Sequence, residues 1–148
     1  MTISFDSNIL LYSIDPDAPA KRILAGELLT RAVGSNAVLT AQALGEFLNI
    51  VRRKRLVDFD EALRIASGWA TMFPLIPTEP LQILRGGALA QRHRLQFWDA
   101  VLLATASANG ITALLTEDMQ DGATIDGVLI LDPFVPANRA RLDALLPA

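Results

Sequence analysis

The chain has 148 residues, of which 51% are hydrophobic and 20% are charged, so it can bury a core as one domain and disorder is excluded. Its 13 basic and 16 acidic residues give a net charge of −3, which excludes a nucleic-acid binder that relies on excess positive charge alone. The absence of cysteine excludes disulfides, thiolate catalysis and cysteine zinc sites, and a reducing compartment such as the cytoplasm is expected.

Short apolar runs alternate with helical patterns along the first part of the chain. Residues 3–6 alternate apolar and polar side chains, as a strand does, and Ser7 and Asn8 offer a cap for the helix that follows. The spacing predicts strands over 3–6 and 38–39 and helices over 9–12, over 20–33 and from Thr40 onward.

The helix from Thr40 carries an acid beside its buried stripe and a basic run beyond it. Apolar residues between 44 and 51 follow the i, i+3, i+4, i+7 spacing, and Glu46 interrupts them. The basic run could contact RNA phosphates, or it could be a solvated helix end where cations suit the dipole. It consists of Arg52, Arg53, Lys54 and Arg55.

The second part of the chain continues the alternation. A capping box at Asp58 opens a helix whose inward residues include Leu63, and Pro74 ends it. We expect Phe97 and Trp98 to pack in the core, although they could stack on a base. The remaining predictions are strands over 75–76, 112–115 and 128–131 and helices over 80–93, 98–109 and 137–145.

This order predicts an α/β domain over residues 1–148, with a short, mainly parallel central sheet flanked by helices on both sides. No apolar run approaches the ~18 residues of a membrane span and no basic leader precedes one, so we expect no membrane association. Ligands of such sheets bind at the carboxyl ends of the strands.

Acidic residues occupy the positions that this scheme brings to that edge. Asp6 ends the first strand, Asp99 opens an apolar helix, and Asp118 and Asp121 follow a later strand. Glu46 is the fifth candidate, on a helix that must pack on the sheet.

Each acid also has an ordinary structural interpretation. Asp6 and Asp99 could be helix-start acids, Glu46 a solvated residue at the edge of its stripe, and Asp118 and Asp121 turn residues beside Gly122. Their joint placement favours a site. Carboxylates 4 Å apart repel by about 4 kcal/mol per pair at an effective dielectric constant near 20, so such a cluster needs protons or a cation.

The chain has no cysteine and one histidine, so the available ligands are oxygens. Several carboxylates and waters suit Mg²⁺ or Mn²⁺, which would activate water for phosphodiester hydrolysis.

Four segments that contain these acids follow one another along the chain. They are Phe5-Asp6-Ser7-Asn8-Ile9-Leu10-Leu11-Tyr12, Glu46-Phe47, residues 99–106 and residues 115–122. In this order they resemble the PIN domain, and more closely the VapC-type toxins of bacterial toxin–antitoxin pairs, and the resemblance covers essentially the whole chain.

The resemblance implies a Mg²⁺- or Mn²⁺-dependent ribonuclease. Such toxins are usually homodimers, held inactive by a cognate antitoxin whose C-terminal segment occupies the active-site groove.

The resemblance also implies roles residue by residue. Asp6 and Asp99 match the acids most often treated as metal ligands, and Glu46 and Asp118 match the two others. Asp121 is an auxiliary candidate in the same loop as Asp118. Asn8 and Thr116 match small polar positions that support the carboxylates.

Two other functions compete with this one. An aspartyl-phosphate phosphatase or receiver-like domain would use Asp6 as nucleophile, but it needs a second acid near Asp6 and a suitable lysine, and the only lysines are Lys21 and Lys54. A non-catalytic PIN-like binding module would retain buried acids at a cost and without a use.

The interpretation of the net charge changes when the five candidate acids are counted separately. Without the five candidates, 11 acidic residues face 13 basic ones. The acidity is concentrated where a divalent cation would neutralise it, so the net charge does not oppose an RNA substrate.

Overall fold

The computed structural model describes residues 1–148. The strands are β1 (Thr2–Phe5), β2 (Leu39–Thr40), β3 (Leu75–Ile76), β4 (Ile111–Leu115), β5 (Thr124–Ile125) and β6 (Val128–Leu131). The α-helices are α1 (Ser7–Tyr12), α2 (Pro19–Ala32), α3 (Ala41–Lys54), α4 (Phe59–Met72), α5 (Pro80–His93), α6 (Phe97–Ala108) and α7 (Arg139–Leu145), the last preceded by a 3-10 helix at Pro136–Asn138. None of the helices is both long and apolar enough to cross a membrane.

The central sheet has the order β1-β4-β6-β5, and β1, β4 and β6 are parallel. A parallel pair of β2 and β3 lies beside it, connected to β1 by a single bridge between Ile3 and Ala37. Phe5 pairs with Leu115 and Leu115 with Leu131, so the three parallel strands end at the same level. The predicted α/β class is confirmed, and the side chains that follow these strands lie next to one another.

Helices cover both faces of the sheet, as predicted. Because side chains alternate along a strand, Ala113 and Leu115 of β4 join the larger core with α1, α2, α3, α4 and α7. Leu114, between them, faces the smaller core beneath α5 and α6, and Ile111 joins the same core because the pairing of β1 with β4 shifts register between residues 111 and 113.

The packing of α6 on α5 depends on a glycine. A Cβ atom at Gly86 of α5 would lie 2.7 Å from the Cα atom of Val101 on α6. The absence of a side chain therefore lets the two backbones approach closely, and this contact helps to fix the position of the first turn of α6.

Two predictions about helix starts are wrong. The cap of α1 is Asp6, whose carboxylate accepts from the Ser7 amide, rather than Ser7 or Asn8. Asp58 is the cap residue of α4, but its carboxylate is exposed and accepts no backbone hydrogen bond, so it forms no capping box. The capping box of this structure lies at α5, between Glu79 and Gln82.

Two predictions about burial are also wrong. The buried face of α4 follows Ala62, Ala66 and Trp69, and Leu63 lies about 100° off that face and is 41% exposed. Trp98 is 48% exposed rather than in the core, because the buried residues of α6 begin only at Ala100. Phe97 is exposed as well.

The short strand β5 was not predicted. It pairs antiparallel with β6 through Asp126 and Gly127, which both have positive φ angles, of 51° and 81°. This is the backbone of a tight hairpin, and an Asp-Gly pair between apolar residues is its usual sequence signal.

Candidate active site at the carboxyl ends of the strands

Asp6 is the most constrained acid of the site. It follows β1, its amide donates to the Leu115 carbonyl of β4, and its side chain is only 3% exposed. Its Oδ1 atom accepts from the Ser7 amide at 2.7 Å, and its Oδ2 atom accepts from the Thr116 hydroxyl at 2.8 Å and from Asn8 Nδ2 at 3.5 Å. Asp6 thus starts helix α1 and also points toward the edge where the strands end.

Glu46 reaches the same edge from α3. Its Oε2 atom accepts from the Ser7 hydroxyl at 2.8 Å, and its Oε1 atom accepts from Gln42 Nε2 at 2.9 Å. Ser7 therefore bonds to Asp6 through its amide and to Glu46 through its hydroxyl. The sequence analysis does not predict that Ser7 and Gln42 support Glu46. The i, i+4 spacing of Gln42 and Glu46 on a helix is a signal for the Gln42 contact, and the sequence carries no comparable signal for Ser7.

Asp99 lies in the first turn of α6, half-buried, and Asp118 lies on the exposed loop after β4. The amide of Asp118 donates to the Thr116 hydroxyl at 3.2 Å, which fixes the backbone of that loop beside Asp6. Asp99 thus reaches the site from α6, and Asp118 reaches it from the loop after β4.

The electrostatics of the site show which acids act on one another. The pKa of Asp6 is raised from 3.8 to about 7, chiefly by burial and also by the charges of Asp99 and Glu46, against the lowering effect of the Thr116 and Ser7 hydrogen bonds. Burial likewise raises the pKa of Asp99 to about 6, with Asp118 and Glu46 adding to the rise. Four of the predicted acids are therefore electrostatically coupled.

The donor set fits a hard divalent cation. All of its atoms are oxygens, the two most perturbed acids resist ionising without a positive charge, and the Oδ1 atom of Asn8 is buried without a hydrogen-bond partner. In the described conformation no three acidic or histidine side chains stand close enough to hold an ion between them. Since Mg²⁺ is usually bound through one or two carboxylates and keeps several waters, an ion at this site would take two of the acids and complete its shell with water.

Asp121 lies outside this network. Its carboxylate accepts from Asn138 Nδ2 at 2.8 Å and from the amide of Asp132 at 2.8 Å, which anchors the start of the C-terminal segment. It forms no hydrogen bond with Asp6, Asn8 or Thr116, and its charge does not contribute to the raised pKa of Asp6 or Asp99.

Glu117, within the same loop, is also engaged elsewhere. It accepts from Lys21 Nζ at 2.7 Å and from the hydroxyl of Tyr12. The Lys21 ammonium in turn lies 4.6 Å from the Tyr12 ring and 4.9 Å from the Phe134 ring. Lys21 is therefore held by an ion pair rather than directed at Asp6, as receiver-like chemistry would need.

The four basic residues at the end of α3 do not form one patch. Arg53 lines a cleft of about 350 Å³ next to Glu46 and Asp99, and Lys54 lines a cleft of about 270 Å³ next to Asn8 and Asp118. Arg52 and Arg55 line a separate hollow, where the Arg52 guanidinium lies 5.8 Å from the Phe59 ring. Only Arg53 and Lys54 therefore lie beside the acids.

A sequence model of the PIN domain matches residues 3–120, which include Asp6, Glu46, Asp99 and Asp118. The chain belongs to the PIN-domain family. The resemblance found in the sequence is confirmed, and the matched region of the PIN domain ends just before Asp121.

Solved structures with the same fold include several toxin–antitoxin proteins. A toxin–antitoxin complex from Klebsiella pneumoniae contains a chain 25% identical to this PIN domain, with a TM-score of 0.64, over 90% of this chain and 98% of that one. VapC20 from Mycobacterium tuberculosis, described as a sarcin–ricin loop cleaving toxin, is 17% identical with a TM-score of 0.61, over 76% and 87% of the two chains.

FitAcB from Neisseria gonorrhoeae is 16% identical with a TM-score of 0.64, over 90% of this chain and 99% of that one. Among curated protein sequences, no significant match to this PIN domain is found.

Proposed function

We propose that this PIN domain is a Mg²⁺- or Mn²⁺-dependent endoribonuclease that acts as the toxin of a toxin–antitoxin pair. Family membership supports a nuclease, and the likeness to the Klebsiella toxin–antitoxin chain supports the toxin role. The observation that carries the proposal is the buried Asp6, which is oriented by Thr116 and Ser7 and coupled electrostatically to Glu46 and Asp99. Burying a carboxylate beside other acids lowers the stability of a fold unless a cation neutralises the charge, so this arrangement supports a cation site.

Asp6 and Asp99 are proposed to hold the cation, with Glu46 and Asp118 completing the acidic ring. When bound, Mg²⁺ or Mn²⁺ would neutralise these charges and supply an activated water together with charge stabilisation at the phosphate. Thr116 and Asn8 keep the Asp6 carboxylate in place, and Ser7 and Gln42 do the same for Glu46.

The reaction is hydrolysis. The oxygen of water bonds to phosphorus, one bridging P–O bond breaks, and the departing oxygen takes up a proton. Glu46, half-buried and fixed by two hydrogen bonds, is suited to orient the attacking water and accept its proton. Arg53 and Lys54, on the two sides of the acids, are suited to contact flanking phosphates.

The decisive experiment incubates purified protein with a pool of RNA hairpins and single strands in Mg²⁺, in Mn²⁺ and in EDTA. We expect cleavage that requires the divalent ion and is lost in Asp6→Asn and Asp99→Asn. Asp60→Asn, an exposed acid of α4, is the matched control and should cleave like the wild type. Cleavage that persists in Asp6→Asn, with the fold intact, would refute the proposed site.

A non-catalytic PIN module is the second candidate, because no three acids stand within reach of a common ion in the described conformation. Calorimetric titration with Mg²⁺ separates the two functions. A nuclease site binds the ion and loses binding in Asp99→Asn, whereas a non-catalytic module gives no heat with the fold intact.

A cognate antitoxin and a homodimer are proposed as the partners. Co-purification of a small protein encoded beside this chain, together with inhibition of cleavage by it, would test the first. Light scattering of the isolated chain would test the second.

A further inference from the structure

A large aromatic side chain stands in solvent next to the acids. Trp98 is 48% exposed, although the residue after it, Asp99, is half-buried in the carboxylate site. Exposing an indole forgoes the stabilisation that burial of such a side chain would give, so its position at the site needs an explanation.

The backbone and ring of Trp98 are held in place. Gln42 Nε2 donates to the Trp98 carbonyl at 2.8 Å and to Glu46 at 2.9 Å, so one amide group connects Trp98 to a carboxylate of the site. The Phe97 ring packs edge-on against the indole, with the centroids 5.0 Å apart. The indole is thus supported on one side while much of its surface faces solvent.

Trp98 also lines the cleft of about 350 Å³ that contains Glu46, Asp99 and Arg53. Ile50 lines both this cleft and the one of about 270 Å³ that contains Asn8, Asp118 and Lys54, so the two clefts adjoin at Ile50. The acids therefore have a cleft on either side, and each cleft has one basic side chain. Only the cleft on the Asp99 side has an exposed indole.

We infer that Trp98 stacks on one unpaired base of the RNA, the base of the nucleotide that flanks the scissile phosphate on the Asp99 side. This inference rests on the proposed nuclease function. Arg53 provides a charge for the phosphate of that nucleotide, and the indole provides the flat apolar surface that an unstacked base requires. Because a paired base cannot reach this surface, the cleaved bond lies in a loop, bulge or single strand.

The cleavage assay tests the inference with matched variants. After the cleavage site of the wild type is mapped, its rates are compared with those of Trp98→Ala, Trp98→Phe and Leu84→Ala. We expect Trp98→Ala to lower kcat/KM roughly 10-fold, within the range for loss of one base–aromatic stack, and Trp98→Phe to recover most of it. Leu84 is 72% exposed on α5, away from the clefts, and its variant should cleave like the wild type.

The RNA can be altered at the same contact. An oligonucleotide that lacks the base of the flanking nucleotide should be cleaved as slowly by the wild type as the intact one is by Trp98→Ala. Trp98→Ala should cleave both oligonucleotides at similar rates, because the stacking contact has already been removed. If removing the base slowed Trp98→Ala by the same factor as it slows the wild type, the two changes would act independently, and the inference would be overturned.

Fluorescence gives a readout independent of turnover. The chain has two tryptophans, and Trp69 is buried, so Trp69→Phe leaves Trp98 as the only tryptophan, whose emission can be excited selectively over that of Tyr12. In an Asp6→Asn background that prevents turnover, single-stranded RNA should quench Trp98 emission, and duplex RNA of the same sequence should not. Equal quenching by both would contradict the inference.

The outcomes separate this inference from the proposed function. If the wild type does not cleave RNA, the proposed function fails. If it cleaves and Trp98→Ala cleaves equally well at the same bond, only the role of Trp98 fails. A change of oligomeric state in Trp98→Ala, or loss of antitoxin binding alone, would assign the indole to a protein contact and would likewise overturn it.

Discussion

The hydroxyl of Thr116 donates a 2.8 Å hydrogen bond to the carboxylate of Asp6, across the pairing of β1 with β4. The same oxygen accepts from Asn8 Nδ2 at 3.1 Å and from the Asp118 amide at 3.2 Å. One buried hydroxyl thus connects three of the positions that converge on the site, although it can neither titrate nor carry charge itself.

Thr116→Val should therefore weaken the site while preserving its shape. The hydrogen bond lowers the pKa of Asp6, so its loss makes the carboxylate a poorer ligand, and we expect divalent-ion affinity to fall roughly 10- to 100-fold. Mg²⁺ titration of the cleavage rate and calorimetry measure the change. Thr116→Ser should retain wild-type affinity.

Thr112→Val is the control on the same strand. Its hydroxyl donates to the Thr2 carbonyl at 3.2 Å, at the opposite end of β4 from the site. It should leave ion affinity unchanged, and an equal loss in both valine variants would show that Thr116 acts only through general stability.

The stability of the metal-free protein should decrease as the pH rises from 5 to 8. The folded-state pKa of Asp6 is raised from 3.8 to about 7 and that of Asp99 to about 6, so between these values the folded state binds more protons than the unfolded state. The stability present at acid pH is then lost as pH rises through the folded-state pKa values. Between pH 5 and pH 8 the loss from Asp6 alone is roughly 2–3 kcal/mol, because part of the loss has already occurred below pH 5 and little follows above pH 7.

Urea unfolding in EDTA at pH 5, 6.5 and 8 measures this trend. Asp6→Asn should make the trend shallower, because the amide does not titrate and only the contribution of Asp99 remains. Mg²⁺ at pH 8 should restore much of the lost free energy of unfolding of the wild type. Metal-free protein that is as stable at pH 8 as at pH 5 would contradict the electrostatic account of the site.

Much of the fold and of the acidic site could be predicted from the sequence because those features repeat along it. The short apolar runs mark the strands, and Asp6 and Thr116 follow two of them directly. Parallel strands that end at one level bring such residues together, whatever their separation in sequence.

What could not be predicted depends on side-chain direction. The consecutive residues Arg52, Arg53 and Lys54 are indistinguishable as a basic run, yet successive positions on a helix differ by about 100°, so they line three different hollows. The hydrophobicity of Trp98 predicts burial, but the packing of α6 on α5 decides at which residue burial begins, and that residue is Ala100.

Asp118 and Asp121 should respond differently to the same substitution. Asp118 acts electrostatically on Asp99, so Asp118→Asn should reduce cleavage at least several-fold with little effect on stability, since its side chain is exposed. Asp121→Asn should lower the free energy of unfolding by about 1–2 kcal/mol, because its carboxylate accepts from Asn138 and from the Asp132 amide.

Cleavage kinetics and thermal unfolding of the two variants separate the roles. The proposed assignment of the fourth acid would be reversed if Asp121→Asn lost activity with normal stability while Asp118→Asn kept its activity.

Adjacent glycines of α5 offer the sharpest test of how the fold positions Asp99. A Cβ atom at Gly86 would lie 2.6 Å from Val101 Cγ2 and 2.7 Å from its Cα atom, whereas nothing lies within 4 Å of a Cβ atom at Gly87. The methyl group of Gly86→Ala would meet backbone atoms of α6 and must displace that helix. We expect a loss of about 1–3 kcal/mol of stability. Gly87→Ala should gain up to about 1 kcal/mol from helix propensity.

The displacement should also reach the acidic site, because Asp99 precedes Val101 by two residues on α6. We therefore expect Gly86→Ala to bind Mg²⁺ more weakly than Gly87→Ala at a temperature where both are folded, as measured by calorimetry. A destabilised Gly86→Ala with unchanged ion affinity would mean that Asp99 moves independently of the α5–α6 contact. Equal stability of the two variants would instead mean that the two helices separate at little cost, and the close approach would then have no part in fixing the site.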